Sequence, residues 1–332
     1  MRRNCSPAVV MPGLVCVFAP AVLFGWQSQA PTVVLRSETR AVQINVAVDG
    51  KAGEPMRDLR KENFTLFDDG KPRDIQFFSV DADAPPSVGG VQAARGGSPN
   101  SAPRETVIIL DCINTEFPDQ SYVRIEALKA VGHMDFNESI AILTLAPGLK
   151  FQNFTRDRGA LMATIKRFRP ILPPYPMGRR VQVTLAALRS LAERLSVAPG
   201  RKSIVWITAG FPLSQEWEDA FARTTNRLND ANVALYTVDA RGLSPAGPGD
   251  IRTLQFFADE TGGLAFYNRS DIFLQIEAAI EDARSTYVIG FYLGDKERDR
   301  RRHKLKVEVD RRGAVLRYRR GYSPLAASRA EP

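Results

Sequence analysis

Short apolar runs alternate with amphipathic segments through the middle of the chain. Five runs are rich in β-branched or aromatic residues and are predicted as strands: TVIIL at 106–110, IAILTL at 140–145, SIVWIT at 203–208, VALYTV at 233–238 and LAFY at 264–267. Between them, apolar residues recur at helical spacing, namely Tyr122, Ile125, Leu128 and Val131, then Leu185, Leu188, Leu191 and Leu195, and later Ile272, Ile276 and Ile280. This alternation predicts an α/β domain with a doubly wound, mostly parallel sheet and helices on both faces.

Both ends of the chain carry a different pattern, which predicts strands without helices. Residues 33–49 include alternating apolar positions from Val42 to Val48, and FTLFDDGKPRDIQFFSV places Asp69-Gly70 as a hairpin turn between two apolar runs. After Ser285, the runs TYVIGFYL, KLKVEV and VLRYRR predict three more strands. Each group alone is marginal as a sheet, so we expect strands from both ends to pair in one small β-sandwich.

The first thirty residues are typical of a secretory signal peptide. Arg2 and Arg3 precede an apolar stretch, and Ser28-Gln29-Ala30 supplies the small residues at which signal peptidase cleaves. Prolines interrupt the stretch, which is short of the ~20 apolar residues of a spanning helix, so we expect cleavage rather than a retained anchor. The predicted organisation is a signal at 1–30, an N-terminal β unit at 31–81, a flexible linker rich in Pro, Gly, Ser and Ala at 82–104, the α/β domain at 105–284, C-terminal strands at 285–323 and a tail at 324–332.

Composition narrows the class of protein. With 44% hydrophobic and 25% charged residues, the chain is an ordinary soluble globular protein. The net charge of +8 falls by two when Arg2 and Arg3 are removed, which leaves a mildly basic protein and gives no indication of nucleic-acid binding. Two of the three cysteines lie in the signal, so the mature chain keeps only Cys112 and forms no internal disulfide.

Asp111 follows the first predicted strand of the α/β domain, in the stretch ETVIILDCINTEF at 105–117. Ligands collect at the carboxyl ends of parallel strands, which makes this aspartate a candidate metal ligand. The order of strand, Asp-containing loop and alternating helices and strands resembles the von Willebrand factor A domain. That family holds a divalent cation in a metal-ion-dependent adhesion site. The resemblance implies that an ion such as Mg²⁺, which prefers oxygen ligands, takes up a carboxylate of the partner.

The sequence matches the family pattern only in part. The family has Asp-x-Ser-x-Ser after the first strand, a threonine before a middle helix and Asp-Gly after the fourth strand. Asp111 and Thr115 occupy the outer positions of the first loop, and Thr184 matches the middle threonine, at the start of the predicted helix TLAALRSLAERL. These three are the candidate metal ligands. Ile113 replaces the central serine, and Ala209-Gly210 stands in the place of Asp-Gly.

Two further oxygen donors belong to the candidate site. Asn114 offers a partial substitute for the missing serine, and Asp239 ends the VALYTVD strand on the same edge of the sheet. Neither restores the pattern, so we expect a degenerate site without a cofactor. A weakly held Mg²⁺ or other divalent cation is the alternative. Without a metal, Asp111 is expected to cap backbone amides of its own turn.

Longer stretches extend the resemblance over nearly the whole mature chain. They are VDGKAGEPMRDLRKENFTLFDDGKPRDIQFFS, GRKSIVWITAGFP, ANVALYTVDARGL, ADETGGLAFY and the closing STYVIGFYL, HKLKVEV and GAVLRYRRGY. Together they resemble exported bacterial proteins of the acidobacterial type with a von Willebrand A-related domain. Those proteins have no established activity, so the resemblance implies an interaction module that is periplasmic, attached to the cell envelope or secreted.

Few residues are available for catalysis. His133 is expected at the surface near a helix end, and His303 in a solvated hairpin turn. Cys112 adjoins Asp111, whose charge raises the pKa of a thiol, and the sequence places no histidine to activate it, so we expect a buried cysteine that acts as a small hydrophobe. The chain has no glycine-rich phosphate loop after the first strand, no HExxH and no GxSxG. Binding is therefore favoured over catalysis.

Two other features have both a functional and a structural interpretation. The basic run from Lys296 to Lys306 continues with Arg311, Arg312, Arg317, Arg319 and Arg320. It is either a solvated face or a surface for the anionic cell envelope. The stretch FRPILPPYPMGRR at 168–180 is either a partner-binding loop or a stiff crossover.

The predicted function is the binding of an unidentified protein partner, and no nucleic acid, at the carboxyl-end face of the sheet. The contact residues are Asp111, Asn114, Thr115, Thr184 and Asp239. Three alternatives stay open at this point. They are metal-dependent binding through a residual adhesion site, a hydrolase or redox enzyme that uses Asp111, Cys112 and Asp239, and a structural protein of the envelope.

Overall fold

The computed structural model of the chain describes residues 40–81, 104–134, 138–198, 200–243, 248–294, 297, 299 and 301–324. They all belong to one compact unit, Thr39–Pro332. The predicted signal, the first part of the predicted strands at 33–49 and nearly all of the predicted linker lie outside the described residues.

The strands in chain order are β1 (Arg40–Asp49), β2 (Phe64–Asp68), β3 (Lys71–Arg73), β4 (Phe77–Asp81), β5 (Glu105–Asp111), β6 (Ser139–Leu145), β7 (Lys150–Thr155), β8 (Lys202–Thr208), β9 (Val233–Asp239), β10 (Ala265–Phe266), β11 (Thr286–Leu293), β12 (His303–Val309), β13 (Val315–Arg317) and β14 (Gly321–Tyr322). The helices are α1 (Phe117–His133), α2 (Arg158–Arg167), α3 (Met177–Leu195), α4 (Glu218–Asp230), α5 (Pro248–Thr261) and α6 (Ile272–Arg284). No helix of the described ranges is long and apolar enough to cross a membrane.

The central sheet has the strand order β10-β9-β8-β5-β6-β7. Its strands are parallel except for β7, which runs antiparallel to β6. This confirms the predicted mostly parallel α/β fold. The sequence did not indicate β7, because KFQNFT is a partly exposed edge strand without a continuous apolar run.

Helices cover both faces of this sheet, as predicted. Side chains alternate along a strand, so Ile108 and Leu110 of β5 pack with α1, α2 and α6, whereas Val107 and Ile109 pack with α3, α4 and α5. Burial on both faces explains why the parallel strands are apolar at nearly every position.

Strands from both ends of the chain form the predicted β-sandwich. One sheet has the order β13-β1-β11-β4 and the other β14-β12-β2-β3, so each combines strands that precede the α/β region with strands that follow it. Ile44, Leu66, Ile289 and Val307 lie in the shared core. Neither group of strands has enough apolar surface to fold alone, which is the reason for the pairing.

The Asp69-Gly70 turn joins β2 to β3 as predicted. Both residues have positive φ, 49° for Asp69 and 78° for Gly70, which matches the twist of a two-residue hairpin. The hairpin is shorter than expected, because the second apolar run leaves it after Arg73. That run forms β4, which pairs with β11 in the other sheet.

Largely buried ion pairs join the β-sandwich to the α/β region at the amino end of the central sheet, a region here called the junction. Arg317 of β13 forms salt bridges with Asp49 of β1 and Asp282 of α6, each at 2.6 Å. Arg319 is partly buried and donates to the carbonyl oxygens of Asn229, at 2.7 Å, and Gln43, at 2.5 Å. Burial lowers the pKa of Arg319 to about 10. Part of the basic C-terminal run is thus used for internal packing.

Candidate functional site

Five hydrogen bonds converge on the carboxylate of Asp111, at the carboxyl end of β5. Oδ1 accepts from the backbone amides of Ile113 at 2.8 Å and Asn114 at 3.0 Å. Oδ2 accepts from Asn114 Nδ2 at 2.8 Å, Trp206 Nε1 at 3.0 Å and Thr208 Oγ1 at 2.7 Å. The group caps its own turn, as the sequence indicated, and is 2% exposed. Burial raises the pKa of Asp111, while the bonds from Asn114, Thr208 and Ile113 oppose that shift.

Asn114 and Thr184 lie directly beside this carboxylate. Asn114 Nδ2 also donates to Thr184 Oγ1 at 2.8 Å, whereas the buried Asn114 Oδ1 has no hydrogen-bond partner. The predicted position of Thr184 at a helix start is wrong. Helix α3 begins two turns earlier, at Met177, because Pro176 at its N-cap ends the preceding loop. Thr184 therefore reaches the site from within the helix.

Thr115 closes the loop against the end of β8. Its Oγ1 accepts from the backbone amide of Ala209 at 3.2 Å, and Thr208 Oγ1 accepts from that of Gly210 at 3.0 Å. Gly210 has a φ of 71°, and a Cβ atom there would lie 3.0 Å from the carbonyl oxygen of Asp250. The loop that carries an Asp-Gly in the family is thus held tightly by backbone contacts.

Asp239 ends β9 on the same edge but has a different partner. It forms hydrogen bonds with Arg241 Nε at 2.9 Å and Nη2 at 3.1 Å, and Arg241 Nη1 reaches Asp250 at 2.8 Å. Among the described residues, no hydrogen bond or ion pair connects Asp239 to Asp111. The structure therefore brings Asp111, Asn114, Thr115 and Thr184 together and leaves Asp239 in a separate, neutralised group.

Gln120 is a residue of this region that the sequence interpretation missed. The buried side chain donates to the carbonyl oxygens of Thr115 at 2.7 Å and Ile171 at 2.9 Å, and its Oε1 accepts from the amide of Ile171 at 2.9 Å. It fastens the 168–176 loop to the Asp111 loop. Its spacing from Val123 and Ala127, which are buried on the same side of α1, is the signal that would have placed it inside.

Trp206 and Thr208 were also missed, since both stand in a strand that is apolar throughout. Hydrogen-bond donors in a fully buried strand need an acceptor, and Asp111 accepts from both of these side chains.

Cys112 is fully buried next to Asp111. Burial, and then the charge of Asp111, raise the pKa of the thiol to about 12, with Lys150 opposing the shift. The thiolate that nucleophilic chemistry needs is thus strongly disfavoured at neutral pH.

The two histidines have unlike environments. His133 is exposed at the end of α1, as predicted. The prediction for His303 is wrong, because it begins β12 and is only 7% exposed. Its Nδ1 lies 2.9 Å from Asp68 Oδ1 and its Nε2 lies 3.1 Å from Asp299 Oδ1. Burial lowers the pKa of His303, but the bonds to Asp68 and Asp299 outweigh it and the pKa is raised.

His303, Asp68 and Asp69 offer ligand atoms within 4.8 Å of one another, which is close enough for a metal ion. Tyr322 also donates to Asp68 Oδ2 at 3.0 Å. The existing hydrogen bonds already satisfy this group, so its geometry is that of a charged imidazole held between carboxylates.

The sequence matches no protein-family model and no curated protein. Among solved structures, the fold is similar to a von Willebrand factor type A protein from Catenulispora acidiphila, with 11% identity, coverage of 87% of this chain and 75% of that chain, and a TM-score of 0.40. It is also similar to the conserved hypothetical protein BatB from Bacteroides thetaiotaomicron, with 12% identity, coverage of 53% and 98%, and a TM-score of 0.35. The mostly parallel α/β fold agrees with the von Willebrand A resemblance, whereas membership of the acidobacterial type stays a prediction.

Proposed function

We propose that the protein is a binding module that docks a protein partner at the carboxyl end of the central sheet without a divalent cation. The observation that carries this proposal is the saturated carboxylate of Asp111. An adhesion-type site needs this carboxylate free to hold the ion, and here both of its oxygens are used by internal donors. Ile113 and Ala209 stand where the family has two of its metal ligands, and their side chains contain no oxygen.

The loops around Asp111 support a role in docking, since they present apolar side chains to solvent. Phe117 begins α1 after β5, Leu149 lies between β6 and β7, Leu172 lies between α2 and α3, and Met177 begins α3. All four are exposed, Leu172 by 76%. Single exposed apolar residues are common, but several from separate connections at one end of a sheet are typical of a contact surface.

Site-specific photo-crosslinking tests the docking surface. A photoreactive residue is introduced at Leu172 and, as a matched control, at Val197, which is 78% exposed near the amino end of the sheet. In cells of the source organism, we expect a defined crosslinked species from position 172 and none from 197. Equal crosslinking at both positions, or none at 172, contradicts the proposal.

Metal-dependent binding is the second candidate, because one observation favours it. The buried Oδ1 of Asn114 has no hydrogen-bond partner and is a suitable oxygen ligand beside Asp111 and Thr184. Calorimetric titration of the mature protein with Mg²⁺, Mn²⁺ and Ca²⁺ separates the candidates. We expect no binding to the native protein, with the double variant I113S/A209D, which restores both missing ligands, as the positive control. Native binding as tight as that of the double variant would establish the second candidate.

We also propose that the protein acts outside the cytoplasm, on the basis of the signal-like pattern at 1–30. N-terminal sequencing of the protein purified from its source tests this. We expect the mature chain to begin at Pro31. Recovery of the intact N-terminus from the cytoplasmic fraction contradicts it.

A further inference from the structure

A cavity of about 500 Å³ opens beside the Asp111 loop, between β6, β7 and the end of α2. Its size falls within the usual range of ligand pockets, about 300–1,000 Å³. The walls combine apolar and basic side chains: Phe151, Phe168 and Ile171 on the one hand, and Lys150, Arg167 and Arg169 on the other. No acidic residue lines it.

The three cations of the cavity lack carboxylate partners. Within the described ranges, neither Lys150, Arg167 nor Arg169 forms a salt bridge, and all three are exposed. Arg169 Nη1 donates to the carbonyl oxygens of Lys166 at 2.8 Å and Phe168 at 3.3 Å, and Arg167 Nη2 to Thr164 Oγ1 at 3.1 Å. These neutral groups orient the guanidinium groups and leave the positive charge available to a ligand.

The arrangement of the charges indicates which anion suits the cavity. It lies at the C-terminal end of α2, where the negative end of the helix dipole disfavours any anion, so the attraction for an anionic ligand comes from the three cations alone. Arg167 and Arg169 have different anchors near the end of α2, and Lys150 comes from a separate element, β7, so the three charges belong to three separate points of the lining. Several separated carboxylates fit this arrangement better than one compact dianion.

The cavity is continuous with the proposed docking surface. Ile171 lines the cavity, and its backbone is bonded at both N–H and C=O to Gln120, which also holds the Asp111 loop at Thr115. The exposed Leu149 and Leu172 flank the lining residues in the chain. A segment that packs on these leucines is therefore placed to enter the cavity.

We propose that this cavity receives an acidic segment of the polypeptide partner, whose carboxylates pair with Lys150, Arg167 and Arg169 while an apolar side chain packs on Phe151 and Phe168. The inference rests on the proposed docking function, because it assigns the chemistry of the partner at the same end of the sheet.

Fluorescence anisotropy with the labelled peptide GELEFEG tests the inference, with GQLQFQG as the uncharged control. We expect the acidic peptide alone to bind, and binding to weaken as salt is raised. Each of the reversals K150E, R167E and R169E is expected to weaken binding by about fivefold, within the range of an exposed ion pair, and the triple variant to abolish it. R223E, at an exposed arginine of α4 away from the cavity, is the matched control and is expected to bind normally.

Three results would overturn the inference. They are equal binding of the two peptides, equal affinity of the triple variant and the native protein, and binding of phosphatidylglycerol vesicles in the absence of any peptide binding, which would assign the cations to a membrane surface. If the peptide fails but position 172 still crosslinks, only the acidic segment is wrong. If the peptide binds through the three cations while position 172 does not crosslink, the docking surface is wrong and the cavity is a separate anion site.

Discussion

The junction and the part of the carboxyl-end edge formed by the Asp111 loop and the cavity, here called the rim, both concentrate charged side chains, but the charges have different partners in the two regions. At the junction, Arg317 is largely buried between two carboxylates. At the rim, Asp111 is surrounded by neutral donors, and cations such as Lys150 have no carboxylate partner among the described residues. A charged side chain paired with an opposite charge contributes to the fold. One whose partners are only neutral groups or water can still pair with a charged ligand.

The same distinction reduces the number of basic residues in the C-terminal run that are available to bind an anionic surface. Its arginines at 317 and 319 have partners inside the junction, and Arg311 pairs with Asp58 at 2.9 Å. Binding to an anionic envelope surface through this run stays a prediction, and fewer of its cations are free for that binding than the sequence indicates. The unpaired basic residues of the cavity are scattered along the sequence and form no visible run.

The largest expected effect belongs to the junction. Arg317→Leu leaves Asp49 and Asp282 buried without their cation, and we expect a loss of about 3–5 kcal/mol in the free energy of unfolding, measured in urea. Arg167→Leu, at the cavity, is the matched control and is expected to change stability by at most about 0.5 kcal/mol. Equal losses would erase the distinction between the two regions.

The next largest effect belongs to Asp111. Asp111→Asn places an amide against donors that point at a carboxylate, so at least one buried donor loses its acceptor, and we expect a loss of about 2–4 kcal/mol. The exposed Asp74→Asn serves as control. An unchanged free energy of unfolding for Asp111→Asn in urea would mean that the hydrogen bonds of Asp111 do not stabilise this region.

A smaller, pH-dependent effect is expected from His303, where the β-sandwich also pairs opposite charges. Because the folded-state pKa is raised, its stabilisation is complete below the unfolded-state pKa of about 6.5 and is lost as pH rises through the folded-state value. The difference in unfolding free energy between the native protein and His303→Gln should therefore shrink above pH 6.5. We expect about 1–2 kcal/mol at pH 6. A difference for position 303 that stays constant across this pH range would contradict the charge pairing.

The smallest effect is expected at Cys112. Since the thiol is buried and its pKa is raised to about 12, iodoacetamide at pH 8 should leave the folded protein unmodified and label it fully in urea. Mass spectrometry measures both. Rapid labelling of the folded protein would revive the thiol-based enzyme alternative.

Much of the fold was predictable because its signals are local. Apolar runs such as TVIIL need burial on both faces, and Asp69-Gly70 has the backbone freedom that a two-residue hairpin requires. The edge strand β7 and the start of α3 were not predictable in this way. β7 is defined by its hydrogen bonds to β6 rather than by its own composition, and α3 begins where the 168–176 loop ends at Pro176.

The candidate site also contains residues that the sequence indicates and residues that only the structure shows. Asp111, Asn114, Thr115 and Thr184 are visible in the sequence as polar residues at strand and helix positions that share one edge. Gln120, Trp206 and Thr208 are not, since their role depends on which acceptor lies across the fold.

The sequence by itself determined the kinds of elements, the parallel sheet and the pairing of both chain ends, because these follow from periodicity and from the need to bury apolar surface. Only the tertiary structure decided which charged side chains are paired with an opposite charge. Pairing depends on distances between residues far apart in the chain, such as Arg317 and Asp49, and on whether a carboxylate like Asp111 meets a cation or a set of neutral donors.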